Sequence, residues 1–203
     1  MRLSPNYGNI ILQNFYNDSP DKVARKILGK LLIRTLDDIV VGGMITEVEA
    51  YFGREDPASR ASKKGKIGDA MWREPGYTLV YMVHGNWLLN VVTTMDNAGA
   101  VLIRSIEPLI GIEHIRLFRG VSQKKLMTTG PGRLTKALKI TNEEDGIPIF
   151  KDDSSVKIVD YLEVDDSEVA RSHRIGVSKD LPEPYRFYVK YSIYVSRIGG
   201  RRQ

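Results

Sequence analysis

The sequence predicts an α+β fold: a single domain built on a curved antiparallel or mixed β-sheet with peripheral helices. Two observations predict it. The strand-like segments cluster along the chain, and no regular alternation of strands with helices separates them. The chain has 203 residues, 42% of them hydrophobic, and is long enough to bury a core of its own. We therefore assign residues 1–203 to one domain and expect about residues 1–9 and 198–203 to be flexible.

The composition excludes several kinds of chemistry. Without cysteine the chain has no disulfides, thiolate nucleophiles or thiolate metal sites. The three histidines, His84, His114 and His173, are far apart and lack ligand spacing, so no metal site is predicted. No segment has the apolar length of a membrane span, and the first residues lack a signal-peptide core. We expect a cytoplasmic protein without a membrane partner.

Charge is unevenly distributed along the chain. Residues 141–168 contain ten acidic and two basic side chains, a net of −8, and the remainder contains 28 basic and 15 acidic side chains, a net of +13. This segregation is typical of a polyanion-binding face with an acidic back. Two ordinary solvated patches would give the same counts, so charge alone leaves both interpretations open.

The first predicted elements are a helix and a hairpin. A Ser-Pro-Asp start at residues 19–21, followed by apolar residues at helical spacing, predicts a helix that ends at Gly29. Residues 30–36 and 39–51 are typical of strands. The pair Asp37-Asp38 between them suits a hairpin turn.

The second of these strands contains the segment with the most candidate catalytic side chains. Because side chains alternate along a strand, Ile45, Glu47, Glu49 and Tyr51 are predicted to share one face, opposite a small and largely apolar face. The pair Gly42-Gly43 indicates a bulge or a close backbone approach. The two acids allow three interpretations: a general acid/base pair as in glycoside hydrolysis, one carboxylate that activates water, or two glutamates on the solvent face of a sheet.

Residues 53–77 are predicted to form an irregular loop that is rich in charged and small residues. A loop of this length within a compact domain is usually functional or mobile. Its basic side chains after Asp56 either follow a phosphate backbone or are simply solvated; they are Arg60, Lys63, Lys64, Lys66 and Arg73.

Strand-like runs continue through the middle of the chain and return near its end. Alternating apolar residues predict strands over 78–84, 87–93, 100–106 and 186–191. Tyr81 and Trp87, on neighbouring strands, either pack within the sheet or form platforms on which bases stack.

Two further helices are predicted after these strands. Residues 112–118 have helical spacing, and the segment 129–132, Thr-Gly-Pro-Gly, precedes the second helix. The free amides at the start of a helix favour an anion, and residues 124–125 and Arg133 add positive charge nearby. The segment is either a phosphate clamp that includes Gly130 and Arg133 or an ordinary proline-initiated helix.

Several short motifs follow one another over nearly the whole chain from about residue 10. They are Glu47-Val48-Glu49-Ala50-Tyr51, Gly53-Arg54-Glu55-Asp56, Pro75-Gly76 before Leu79-Val80-Tyr81, Asn90-Val91-Val92, Val101-Leu102-Ile103-Arg104-Ser105-Ile106-Glu107-Pro108, Gly130-Pro131-Gly132-Arg133-Leu134, Arg174-Ile175-Gly176-Val177 and Arg186-Phe187-Tyr188-Val189. In their order and spacing they resemble the alkyladenine (3-methyladenine) DNA glycosylase family, the compact kind unrelated to helix-hairpin-helix glycosylases. The resemblance implies that a damaged purine is flipped from duplex DNA into a pocket, where its N-glycosidic bond is hydrolysed.

The resemblance also implies roles in catalysis. Glu49 matches the family's general base, which deprotonates the water that attacks C1′. Arg104 matches the arginine that positions this water and the nearby phosphate. No lysine matches a Schiff-base nucleophile, so a monofunctional enzyme is implied that leaves an abasic site and needs no cofactor or metal. Glu47 is then expected to be structural, as a partner for a basic side chain.

Other matching residues are implied to hold the base. Tyr51 and Tyr81 match the aromatics that sandwich it. Asn90 matches an asparagine that disfavours guanine by crowding its exocyclic amino group. His84 stands where the family usually has a tyrosine wedge that fills the vacated stack. The smaller ring is a departure, and the spacing from His84 to Asn90 is one residue shorter than usual.

Arg60 is the second departure from the family pattern. Counting from Tyr51 without gaps places Arg60 where the family has a histidine that stacks on the base and donates a hydrogen bond. A guanidinium plane stacks on bases, but its permanent charge repels a cationic N-methylated purine. We predict either a shift toward neutral lesions, such as hypoxanthine or ethenoadenine, or an Arg60 that is turned out of the pocket.

Three functional hypotheses follow. The first is a monomeric repair glycosylase that acts on double-stranded DNA containing damaged purines, nucleoid-associated in a prokaryote. The second is a non-catalytic nucleic-acid-binding module, for which the basic remainder of the chain would suffice. The third is a sugar-directed hydrolase that uses Glu47 with Glu49. A buried carboxylate beside two tyrosines would favour the first.

Overall fold

The computed structural model describes residues 7–94 and 96–196. Most of the two ends that are predicted to be flexible, residues 1–6 and 198–203, lie outside the described residues. The first described residues contact the sheet, because the Asn9 carbonyl accepts a hydrogen bond of 2.8 Å from the Asp160 amide. Within the described ranges, no helix is long and apolar enough to cross a membrane.

One antiparallel sheet organises the described part of the chain. Its strands are β1 (Leu31–Leu36), β2 (Ile39–Tyr51), β3 (Thr78–Val83), β4 (Asn86–Val92), β5 (Ala100–Ile110), β6 (Val156–Val159), β7 (Val169–Ser172) and β8 (Arg186–Val189). The main order is β3-β4-β5-β2-β1-β6, and β8 pairs with both β2 and β7. The predicted α+β class is confirmed, with antiparallel pairing between all of these strands.

Short helices surround the sheet. The α-helices are α1 (Pro20–Ile27), α2 (Lys66–Ala70), α3 (Ile112–Arg119), α4 (Lys124–Thr128) and α5 (Pro131–Ala137). Single turns of 3-10 helix lie at Gln13–Tyr16, Arg60–Ser62, Asn142–Glu144 and Asp166–Glu168. Helices α1, α3 and α5 contribute Ile27, Ile115 and Leu134 to the main hydrophobic core.

The predicted hairpin is confirmed. β1 and β2 pair from Leu36 with Ile39 at the turn to Leu31 with Met44 at the far end. Asp37 at the turn adopts a left-handed φ of 48°, a conformation that aspartate tolerates better than most residues.

Two bulges lie beside Glu47 in the pairing of β2 with β5, in addition to a register shift at Gly42-Gly43. Thr46 on β2 and Arg104 on β5 are the extra residues, and neither has a partner in the register of the two strands. An extra residue reverses the alternation of side chains between the two faces. Ile45 therefore packs in the main core together with Val48 and Ala50. The prediction that Ile45 shares a face with the two glutamates is wrong for this reason.

The irregularity predicted at Gly42-Gly43 is confirmed by a register shift between the two residues. A Cβ atom at Gly43 would lie 2.0 Å from the carbonyl oxygen of Glu107 on β5. Glycine is required there because only hydrogen leaves room for so close an approach of the two strands.

Several short elements were not predicted. Helix α2 and one 3-10 turn lie within the loop that was predicted to be irregular, and α4, β6 and β7 were also missed. Each of these elements spans at most five residues. That is too short for a helical or strand period to show in the sequence.

Candidate active site

The centre of the sheet brings three residues together. Glu47 and Glu49 lie on β2, and Arg104 is the bulged residue of the neighbouring β5. The Nε of Arg104 donates to Glu47 Oε1 at 2.8 Å, and its Nη1 donates to Glu49 Oε2 at 3.1 Å. Both glutamate side chains are 0% exposed. The interpretation of the two acids as solvent-face glutamates is therefore wrong.

Glu49 is enclosed by hydrogen-bond donors. Its Oε1 accepts from the Ile175 amide at 2.7 Å, and its Oε2 accepts from the Tyr51 hydroxyl at 2.8 Å in addition to Arg104. Burial would lower the pKa of Arg104, but the charges of Glu49 and Glu47 raise it above its ordinary value. The guanidinium beside Glu49 therefore stays charged.

Glu47 has a different set of partners. Besides Arg104, its Oε1 accepts from the Nε of Arg186 at 2.7 Å, and its Oε2 accepts from the Ser105 hydroxyl at 2.9 Å and the Ser196 amide at 2.7 Å. Burial would raise the pKa of Glu47, but the charges of Arg104 and Arg186 hold it below its ordinary value. The basic partner that was expected for Glu47 is thus present as two buried arginines.

A cavity of about 790 Å³ opens beside this cluster. Its wall comes from β2 to β5, from the loop around residues 57–63 and from the segments 129–133 and 175–178. The predicted site residues that line it are Tyr51, Arg60, Tyr81, His84, Arg104, Gly130 and Arg133. Glu49 and Asn90 are buried outside this lining, and Glu49 lies behind Tyr51 and Arg104.

Tyr51 and Tyr81 form the aromatic part of the wall. Burial raises the pKa of Tyr51 well above its ordinary value, and the charge of Glu49 raises it further. Burial also raises the pKa of Tyr81, although the neighbouring Arg60 opposes the shift. Both phenols therefore stay protonated at neutral pH, and the Tyr51 hydroxyl remains a donor to Glu49.

Arg60 is turned into the cavity rather than out of it. Its guanidinium carbon lies 5.3 Å from the centroid of the Tyr81 ring, a cation–π distance. The 3-10 turn that begins at Arg60 is capped by Ser59, whose hydroxyl accepts from the Ala61 amide at 3.2 Å. This local cap fixes the backbone from which Arg60 extends.

Asn90 and His84 have contrasting surroundings. Asn90 is buried in β4, and its amide nitrogen donates to the Leu79 carbonyl of β3 at 3.0 Å. His84 is exposed at the turn between β3 and β4, where it lines the cavity. Its φ of 47° is uncommon for a residue other than glycine, and such strained positions cluster at functional sites.

Gly130 and Arg133 line the cavity at the start of α5. The Gly130 amide donates to the Ser105 hydroxyl at 2.9 Å, so this amide is already used within the protein. The Nη1 of Arg133 donates to the Thr129 carbonyl at 3.3 Å, and Lys125 also lines the cavity. An anion at this segment would therefore meet the positive charges of Arg133 and Lys125. The Gly130 amide is not available to it.

Arg174 is a site residue for which the sequence indicated no role. Its side chain is fully buried, and its guanidinium carbon lies 4.6 Å from the centroid of the Tyr51 ring. Burial would lower the pKa of Arg174, but hydrogen bonds to Asp56 and Asp180 raise it, so the group stays charged. Arg174 and Asp56 both belong to the motifs named above, but a sequence does not show that residues 118 positions apart meet.

Comparison with known proteins identifies the family. A family model described as methylpurine-DNA glycosylase matches residues 14–193. A protein of Aeropyrum pernix named "Putative 3-methyladenine DNA glycosylase" is 42% identical over 193 residues, which cover 94% of each chain. Proteins of the same name from Koribacter versatilis and Francisella tularensis are 37% and 34% identical, over 90% and 86% of this chain and 90% and 92% of their own. The chain belongs to the methylpurine-DNA glycosylase family.

Proposed function

We propose that this protein is a DNA glycosylase that hydrolyses the N-glycosidic bond of a damaged purine and leaves an abasic site. The observation that carries the proposal is the buried carboxylate of Glu49, placed beside Arg104 behind an aromatic cavity. The family and the names of the relatives support N-glycosyl hydrolysis in DNA. Lys63, Lys125 and Arg133 at the cavity suit the phosphates of duplex DNA.

A base inside a duplex has to leave the stack before it can enter such a cavity. We propose that Tyr51 and Tyr81 hold the extruded purine through their ring faces. The exposed His84 then fills the gap that the base leaves in the stack. Asn90 is buried and does not line the cavity, so its proposed role of disfavouring guanine, by crowding the exocyclic amino group, requires the wall to open around the bound base.

The proposed hydrolytic step uses water, Glu49 and Arg104. Glu49 takes a proton from the water, the water oxygen bonds to C1′, and the purine leaves with the electron pair of the broken C1′–N bond. The charged Arg104 orients the water and the neighbouring phosphate. In the free protein Glu49 has no exposed surface, so we propose that the hydrogen bond from Tyr51 opens when the base stacks there.

Glu47 does not suit a second acid in this step. It accepts four hydrogen bonds, and its pKa lies below the ordinary value, so it has no proton to donate at neutral pH. This argues against a sugar-directed hydrolase with two acting carboxylates. A binding module without catalysis, in turn, has no use for a buried Glu49 beside two tyrosines.

We further propose that Arg60 shifts the preference toward neutral lesions such as hypoxanthine and ethenoadenine. Its permanent charge lies at the wall of the cavity, next to Tyr81. Among the described residues, no carboxylate forms a salt bridge with Arg60. A cationic N-methylated purine would therefore meet a charge that is not neutralised locally.

The test incubates duplex DNA carrying one hypoxanthine with wild type and with Glu49→Gln. We expect base release to fall by roughly 100-fold or more, the usual contribution of a general base, while DNA binding survives. Glu113→Gln is the matched control, because Glu113 is an exposed glutamate on α3, outside the cavity lining, that pairs with Arg116 on the same helix. Equal base release by wild type and Glu49→Gln would remove Glu49 from the mechanism.

A further inference from the structure

We propose that Arg174 is a positioning residue for the hydrolytic site. It acts on Glu49 indirectly, through Tyr51 and through the amide of Ile175. This inference rests on the proposed glycosylase function and names a residue on which that function depends.

The guanidinium of Arg174 joins three separate segments of the chain. Its Nη1 donates to the Ala50 carbonyl on β2 at 3.0 Å and to Asp56 Oδ2 at 2.6 Å, and its Nη2 donates to Asp56 Oδ1 at 2.8 Å. Its Nε donates to Asp180 Oδ1 at 2.8 Å, and its own amide donates to Asp180 Oδ2 at 3.0 Å. The end of β2, the loop that follows it and the segment 174–180 are therefore fixed to one planar group.

Asp56 extends this connection to the cavity wall. Its carboxylate also accepts hydrogen bonds from the amides of Phe52 and Ala58, both at 3.0 Å. The loop is thus held on both sides of Asp56, and Ala58 and Arg60 of the same loop line the cavity. Moving Arg174 would loosen the wall against which the base is proposed to stack.

Two of the hydrogen bonds to Glu49 depend on Arg174. The guanidinium packs 4.6 Å from the centroid of the Tyr51 ring, and it does so from inside the protein, because Tyr51 lines the cavity and Arg174 does not. The next residue along the chain, Ile175, donates its amide to Glu49 Oε1. Arg174 thereby holds both Tyr51 and Ile175, whereas the contact of Arg104 with Glu49 comes from another strand.

Geometry rather than charge is the basis of this role. The positive charge of Arg174 is matched by Asp56 and Asp180, and its side chain is fully buried away from the cavity. A lysine would keep the charge, but it lacks the planar fork that bonds two acceptors in fixed directions. Arg174→Lys should therefore leave the charge balance intact and misplace the groups around Glu49.

The experiment compares Arg174→Lys with Arg34→Lys. Arg34 is also buried and pairs with the buried Glu144, but it belongs to β1 and does not line the cavity. Single-turnover release of hypoxanthine is measured per active site, after titration of the active fraction, together with DNA affinity and the melting temperature. We expect both variants to melt earlier, and only Arg174→Lys to lose rate, by roughly 100-fold for an ångström of misplacement, at unchanged DNA affinity.

Two further measurements keep the inference testable if Arg174→Lys folds poorly. Asp180→Asn weakens the support of Arg174 but leaves its fork to Asp56, so a smaller loss of rate in the same direction is expected. Adding Arg174→Lys to Glu49→Gln should lower the residual rate much less than Arg174→Lys lowers the wild-type rate, because most of the effect of Arg174 passes through Glu49.

The possible failures are distinguishable. Rates per active site that are equal in Arg174→Lys, Asp180→Asn and Arg34→Lys would overturn the positioning role while the glycosylase function stands. Fully additive losses with Glu49→Gln would also overturn it. A wild type that releases no base from any damaged duplex would overturn the proposed function, and this inference with it.

Discussion

The hydroxyl of Tyr51 donates a hydrogen bond of 2.8 Å to Oε2 of Glu49, its neighbour two positions back on β2. Arg104 bonds the same oxygen and the Ile175 amide bonds the other, so the carboxylate is satisfied in the free protein. A base that stacks on Tyr51 therefore acts on one of the bonds that cover Glu49. In the proposed mechanism, this one hydroxyl links the binding of the base to the access of water to Glu49.

Replacing Glu47 with glutamine is expected to destabilise the fold. The change leaves Arg104 and Arg186 without the carboxylate that they share, and breaking a buried ion pair costs about 3–5 kcal/mol. The free energy of unfolding in urea measures the effect. Ser105→Ala is the comparison, since it leaves both ion pairs intact and removes two hydrogen bonds, one to the same carboxylate and one from the Gly130 amide, which should cost about 1–3 kcal/mol.

The same variant separates two functions. If the two glutamates acted as a catalytic pair, Glu47→Gln would lower base release per active site as far as Glu49→Gln and leave stability unchanged. That result would favour the sugar-directed hydrolase over the glycosylase proposed above.

Arg60→His is expected to raise the ratio of 3-methyladenine release to hypoxanthine release. Two unit charges about 5 Å apart repel by about 1–3 kcal/mol at effective dielectric constants of 80 to 20, which corresponds to roughly five- to hundredfold. Single-turnover rates on the two substrates give the ratio. Lys63→Gln removes an exposed charge from the same cavity and serves as the control. A wild type that strongly prefers 3-methyladenine, with a ratio that Arg60→His does not alter, would refute the role of Arg60.

Base release is expected to be unchanged after dialysis against EDTA, because the proposed step needs only water, Glu49 and Arg104. For the same reason, borohydride should trap no covalent complex of the protein with DNA. A trapped complex would contradict the monofunctional mechanism. It would point first to Lys63 and Lys125, the lysines that line the cavity.

Acid is expected to weaken the fold through Asp145. Burial would raise the pKa of Asp145, but two hydrogen bonds of 2.8 Å from Arg73 and one from the Val80 amide hold it below the ordinary value of 3.8. Because the folded pKa is the lower one, this stabilisation is present above about pH 4 and is lost as the pH falls through the folded value.

Urea unfolding of Asp145→Asn at two pH values tests this prediction. The variant should be less stable than wild type near pH 6 and should lose less further stability below about pH 4. Asp38→Asn, at the exposed hairpin turn, changes the net charge by the same amount. Its loss of stability in acid should equal that of wild type. Parallel acid curves for wild type and Asp145→Asn would show that Asp145 does not contribute.

Gly43→Ala is expected to lower the free energy of unfolding by about 1–3 kcal/mol, as overpacking usually does. The new Cβ would lie 2.0 Å from a backbone oxygen of β5, which cannot move without disturbing the sheet. Gly132→Ala is the matched change, because its Cβ meets the side chain of Asn86 at 2.8 Å and a side chain can turn away. Equal melting temperatures for the two variants would contradict the steric argument.

Local patterns predicted the features that neighbouring residues decide. The β1–β2 hairpin was predicted because its alternation and its turn lie within one stretch of sequence. The bulges at Thr46 and Arg104 arise from the pairing of two strands that are distant in the chain, so neither strand shows them alone. The resulting error at Ile45 is a direct consequence.

The same distinction between local and long-range features applies to the site. Glu49, Tyr51 and Tyr81 were predicted as candidates because they belong to sequence motifs or match the family pattern. Their arrangement depends on long-range contacts, such as that of Arg174 with Asp56, which no local pattern encodes. The hydrogen bond from the Ile175 amide could not be predicted from the sequence either, since every residue except proline carries the same donor.

That main-chain donor has a consequence for how the protein can change by mutation. Any residue but proline at position 175 supplies the same N–H to Glu49, so the hydrogen bond is insensitive to most codon changes at that position. The Ile175 side chain meanwhile lines the cavity. The side chain at position 175 can therefore change the surface that a base contacts, while the main-chain hydrogen bond to Glu49 is retained.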